Sequence, residues 1–122
     1  ALQIVPSHGL TREEVDRIEA ESFAHAREDM TRHRIVDLVA NSRLDLKWIR
    51  ERLAKMGHLL EAEYRADLQR RVDELAALVE RADADWTSVE ANAFQRAKEE
   101  LDRASVRMHE VSIAESLRGE GG

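Results

Sequence analysis

IVPSHGLTREEVDRIEAES (residues 4–22) sets a strand-compatible stub, the only proline and a glycine directly before a capped helix. Leu2, Ile4 and Val5 suit extended backbone, and Pro6 and Gly9 break any regular element. Thr11 followed by Glu14 has the spacing of a capping box, and Leu10 stands where a hydrophobic staple would. Residues 1–10 therefore read as the end of a preceding β element and a turn. No initiator Met precedes Ala1, and the chain is read as a piece cut from a longer one.

Downstream of this junction, Pro and Gly occur only at proposed boundaries: Gly57, Gly119, Gly121 and Gly122. Nothing between Gly9 and Gly57 breaks a helix, so one helix can span residues 12–56, about 65 Å if unbroken. Its halves differ. In the second, Ile35, Leu38, Val39, Leu46, Ile49 and Leu53 form a stripe that calls for partner helices. In the first, Val15, Ile18, Phe23, Ala26 and Met30 share one side but are diluted by REDMTRHR (residues 27–34). A kink near Ser22 is expected between them.

Gly57 has the position of a C′ cap, with Lys55 in the last turn. A second helix is expected over 60–82, on Tyr64, Leu68, Val72, Leu75 and Val79. An Asp N-cap from residues 82–85 then starts a third over 86–117, on Val89, Ala93, Leu101, Met108 and Val111. Short connections make neighbours antiparallel. The fold class is all-α, an antiparallel three-helix bundle with an N-terminal helical arm after a short strand-like stub. The divisions are 1–10 for stub and turn, 11–118 for the helical part (arm 11–34, bundle 35–118), and 119–122 for a frayed tail.

Composition narrows the function. Charged residues are 36% of the chain, aromatics 4%, and the net charge is −6. That acidic balance, with Arg interleaved among Glu and Asp, provides no basic field for nucleic acid. The absence of cysteine suits a reducing cytoplasm, and no apolar run approaches spanning length, so no membrane partner is expected. The chain has no Gly-rich phosphate loop, no GxSxG elbow and no HExxH. The single metal-like constellation is His25, Asp29 and His33, spaced i, i+4, i+8 along the arm. A straight helix cannot easily wrap three ligands around one ion, and three polar residues on a solvated face is the better reading. His8, His58 and His109 are isolated, Trp48, Trp86 and Phe94 suit packing, and no catalytic residue is assigned. The residues by themselves indicate a helical interaction domain.

The run I-V-P-S-H-G-L-T-R-E-E-V, followed by E-S-x-x-H-A-x-E-D, resembles the junction between the peptide-binding β-domain and the helical lid of DnaK-type chaperones, the seventy-kilodalton heat-shock proteins. Ala26 and Asp29 match the element that opens the family's long second lid helix, and Gly57 and Leu60 match its end and the next helix's leading Leu. The likeness extends over essentially the whole chain, and the P-S-x-G-L-T wording leans toward the HscA branch, which serves iron–sulfur cluster assembly. The resemblance implies a lid that closes over unfolded or extended peptide held by the upstream β-domain of the same chain. ATP and Mg would be bound by the longer protein, in a cytoplasmic chaperone cycle linked to folding and stress response, with no cofactor or active site in this segment. Among the lid contacts to the β-domain, Asp29 is kept, whereas the family's latch Asp and His fall at Arg43 and Lys47, so the latch is absent or reversed in charge.

The alternative is a free-standing helical adaptor or coiled-coil interaction domain; the stub and capped turn favour the lid. A third possibility, a metal-dependent bundle enzyme, would need Glu-x-x-His ligands that the later helices lack. Separation from the β-domain is expected to leave the arm's apolar side open to pairing with a second copy, a homodimer produced by truncation.

Overall fold

A computed structural model describes residues 11–121, with side chains for 11–119; the stub, the Leu10 staple and Gly122 lie outside these residues. Four helices follow in order: α1 (Arg12–Met56), α2 (Ala62–Ala84), α3 (Ala91–Ala104) and α4 (Val106–Gly121), with single 3₁₀ turns at Gly57–Leu59 and Trp86–Ser88. No strand occurs among the described residues. The fold is an all-α bundle with three helical layers, the third split into α3 and α4.

The backbone contacts divide the chain into two units, one ending at His33 and one beginning at Arg34. In the first, Thr11 Oγ1 accepts from Glu14 N–H at 3.1 Å, the cap that the sequence announces. It satisfies one of the helix's orphan donors. The kink expected near Ser22 does not break the helix, since α1 is helical without interruption through that position. Neither Pro nor Gly is present there to remove a ladder bond.

The second unit holds the core. Ile35, Leu38, Leu46 and Ile49 of α1 are buried with Leu68, Val72 and Leu75 of α2 and Phe94 and Leu101 of α3. Met108 of α4 completes the set at 0% exposure. The stripe expected along α1 is the buried one, as a 3.6-residue period requires when one side faces partner helices.

Four local expectations are corrected. Gly57 is not a left-handed cap, because no residue with positive φ occurs among the described residues. It opens a 3₁₀ turn and is buried, and a Cβ there would stand 3.3 Å from Cδ of the exposed Arg65 side chain. Asp85 does not cap the third helix. Its carboxylate accepts from Thr87 N–H at 3.0 Å and Thr87 Oγ1 at 2.7 Å, folding Trp86–Ser88 into a 3₁₀ turn. Glu90 then caps α3 by accepting from Ala93 N–H, so the helix starts at Ala91 rather than near Trp86.

The third helix also breaks at Ser105. The Tyr64 hydroxyl of α2 donates to Ala104 O and accepts from Met108 N–H at 3.2 Å. Those are the two groups that an unbroken helix would join directly, and a side chain inserted into the ladder kinks it. Finally, α4 continues past Gly119 to Gly121. Glycine inside a helix costs about 1 kcal/mol relative to alanine but does not forbid it.

Candidate interaction surface

The arm's apolar residues are on the surface. Val15, Ile18, Phe23 and Met30 are 37%, 46%, 66% and 72% exposed, and Ala26 is exposed with them. All five lie on α1, whose first half is kept helical by the Thr11 cap and by acidic Glu13 and Glu14 against the positive helix end. Exposed apolar side chains in such a row are what a helix offers to another surface.

His25, Asp29 and His33 lie one turn apart along α1, each step advancing about 6 Å. No group of three His, Cys, Asp or Glu side chains able to hold a metal ion occurs among the described residues.

Arg43 and Lys47, at which the sequence resemblance puts the latch positions, lie in the second unit. Arg43 reaches across to α2 and pairs with Asp83 at 3.1 Å, both side chains more than half exposed. Lys47 lines a shallow groove between α1 and α2 of about 490 Å³, beside Arg43, Arg50 and Glu80 over a floor of Leu46 and Val79. The two cationic residues thus flank one groove, and Arg43 already has a carboxylate partner.

A second polar cluster was not foreseen. Lys98 Nζ of α3 lies 2.9 Å from Asp45 Oδ2 of α1 and 3.0 Å from Asp102 Oδ2. The Asp45 contact is ionic without hydrogen-bond geometry, which leaves that buried oxygen without a true donor. Burial, reinforced by Asp45, raises the Asp102 pKa above the ordinary carboxylate value. Burial alone would lower that of Lys98, but attraction to the two carboxylates outweighs it and the net shift is upward. Sequence spacing reveals the Lys98–Asp102 half as an i, i+4 pair; Asp45 joins it only through helix packing.

Beside this cluster, His109 stacks on Trp48 with ring centroids 4.4 Å apart at 25°, and Arg52 stands over the same indole at 4.8 Å. His109 is half-buried, not the isolated surface residue its sequence context suggests. Asp45, Trp48, Ile49, Asp102, Ser105 and His109 border a cleft of about 330 Å³. Lys98 offsets part of the charge of the two carboxylates. His109 Nε2 lies 2.9 Å from the buried Ser105 hydroxyl, whose own proton is given to Asp102 O, so the contact ties the helices together and leaves no free hydroxyl proton for the imidazole to accept.

The chaperone protein HscA homolog of Shewanella loihica is 32% identical over 120 residues, 98% of this chain and 19% of the relative. The chain is thus similar, nearly end to end, to one part of HscA chaperones. The HscA homolog of Shewanella woodyi is 29% identical over 124 residues, with 98% of this chain and 19% of the relative covered. HscA of Photorhabdus laumondii is 25% identical over 118 residues, covering 97% and 19%. The chain therefore spans about a fifth of the length of the curated relatives it matches. No family model matches, and no solved structure matches. No helix among the described residues is long and apolar enough to cross a membrane.

Proposed function

We propose that this HscA-like segment is the lid of a longer ATP-dependent chaperone, closing over extended polypeptide held by a β-domain that precedes it. The observation that carries this reading is similarity to HscA chaperones along 98% of the chain. The exposed arm agrees with it: Val15, Ile18, Phe23, Ala26 and Met30 form the side a lid would rest on its β-domain. Asp29 would contribute an acidic contact there, and Arg43 and Lys47 would meet acidic loops where other lids present an Asp and a His. ATP and Mg belong to the longer protein, and this segment carries no chemistry of its own. The HscA names of its relatives favour service to iron–sulfur cluster assembly, and the lack of cysteine suits work in the cytoplasm.

Peptide dissociation provides the test. The longer protein encoded at this locus should release a labelled hydrophobic peptide more slowly in the presence of ADP than a version ending before Thr11. The 122-residue chain alone should neither hydrolyse ATP nor bind the peptide. Saturable low-micromolar binding by the isolated chain would overturn the reading. Without its β-domain the arm's apolar side should pair with a second copy at high concentration, since burying one Phe contributes about 1.5–3 kcal/mol and a symmetric pair buries two. Sedimentation should show a concentration-dependent dimer that Phe23→Asp abolishes.

A further inference from the structure

The break at Ser105 has an identifiable cause and an uneven distribution of anchors around it. Residues of α3 on one side include Phe94 and Leu101, both at 0% exposure, and α3 packs along α2. On the other side, the fully buried side chain of α4 is Met108; His109, Val111 and Ser112 are half-buried, and residues 113–119 are all exposed. Ile113 and Leu117 are 61% and 62% exposed, so residues 113–119 add little apolar burial to the bundle.

Besides buried Met108 and the His109 ring stacked on Trp48, the first turn of α4 is held by specific polar contacts. The Tyr64 hydroxyl bridges Ala104 O and Met108 N–H, substituting a side chain for a direct ladder bond. Ser105 Oγ donates to Asp102 O at 2.9 Å, and His109 Nε2 lies 2.9 Å from the same hydroxyl. Arg107 adds an exposed ion pair with Glu61 at 2.8 Å, worth little in water. We infer that α4 is a separately releasable segment of the bundle, hinged at Ser105 and pinned shut by the Tyr64 hydroxyl.

Several features converge on this. A helix continued without a break would transmit the rigidity of α3 into α4, because each residue adds a backbone bond to a formed ladder. Here the Met108 N–H to Ala104 O rung is taken over by a group from α2, so undocking α4 from α2 removes that rung. Ser105 N–H to Leu101 O at 2.9 Å and His109 N–H to Ser105 O at 3.0 Å keep the chain helical on either side of the hinge. Segments with few buried apolar contacts open at lower free energy than the core around them. Release would detach a helix with Met108 and Val111 on one side and Val106, Ile113 and Leu117 on the other. It would also uncover the end of the core cluster that contains Met108. The device is a C-terminal helix that can leave a bundle that stays folded. It rests on the geometry of the second unit and is independent of the lid reading.

Native-state hydrogen exchange on the 122-residue chain tests it, comparing amides of residues 109–112 with those of residues 68–79. In the wild type, the first set should exchange at least tenfold faster than the second, through an opening whose denaturant dependence is measurable but clearly smaller than that of residues 68–79. Tyr64→Phe keeps the ring and deletes the pin, and should speed residues 109–112 about tenfold further with a clearly smaller change in residues 68–79. Joint opening of the two sets in the wild type, or equal acceleration of both by Tyr64→Phe, would overturn the inference. Should Tyr64→Phe not fold, the wild-type profile decides alone.

Discussion

The chain has two phenylalanines, and they mark its two regions. Phe23 lies on the arm half of α1 with 66% of its surface in water, and Phe94 sits in α3 at 0%. Both occupy uninterrupted helix, and both have apolar neighbours at helical spacing. The difference is what the other side supplies. Around Phe94, three helical layers contribute Ile35, Leu68, Leu75 and Leu101 to one cluster. The unit that ends at His33 contains only its own helix among the described residues, so nothing in it can bury Phe23. A helical stripe is thus a request for a partner, and the bundle answers its own request where the arm does not.

The largest expected effect follows from that contrast. Phe94→Ala should cost about 3–5 kcal/mol, and Leu68→Ala or Leu101→Ala about 2–5 kcal/mol, by lost transfer energy plus a cavity. Phe23→Ala should shift the same urea transition by no more than about 0.5 kcal/mol, as for a surface site. Comparable losses at Phe23 and Phe94 would break the division into a core-bearing and a coreless region.

Within the bundle, Ser42 is fully buried and its hydroxyl has no hydrogen-bond partner. An orphaned hydroxyl costs about 1–3 kcal/mol. Ser42→Ala should therefore raise stability by about 1 kcal/mol, visible as a higher melting temperature. A drop would mean that the oxygen is satisfied, and that the bundle interior is less dry than its packing indicates.

Asp102 gives a smaller effect, dependent on pH. Its folded-state pKa is raised, first by burial and then by Asp45. The native state consequently binds that proton more tightly than the unfolded chain, and protonation favours folding. The penalty from the ionised form is present near neutrality and disappears as pH falls through the raised pKa. Asp102→Asn should thus be modestly more stable than wild type near neutral pH, with the gap closing in acid. Asp67 and Asp85 run the opposite way. Hydrogen bonds from Arg71 and Arg70 to Asp67, and from Thr87 to Asp85, lower their pKa values. Their contributions are present above the unfolded-state carboxylate pKa and are lost as pH falls through the lowered values. Urea midpoints of wild type and Asp102→Asn across the acid range would separate the two signs.

Smallest of all should be Arg43→Ala, which removes an exposed pair with Asp83. A change within about 0.5 kcal/mol is expected. A larger loss would show that the α1–α2 groove contributes to holding the bundle together.

The sequence by itself determined which stretches are helical, where α1 begins and which side of it is buried. Period and punctuation are local, and the Thr11 cap and the Ile35–Leu38–Leu46–Ile49 stripe depend only on neighbours in the chain. It also exposed the arm's apolar row, because residues at helical spacing share a side whatever they meet. The resemblance at the opening junction pointed to the chaperone family before any contact was known. Tertiary structure alone decided the break at Ser105, the Trp48–His109 stack and the gathering of Asp45 with Lys98 and Asp102. Each joins residues separated by tens of positions, such as Tyr64 and Met108. Nothing in the period of α3 and α4 signals that a hydroxyl from α2 will replace one of their backbone bonds. Local pattern fixes which residues face inward; the identity of the partner that meets them is a property of packing, where helices from distant parts of the chain come within hydrogen-bonding reach.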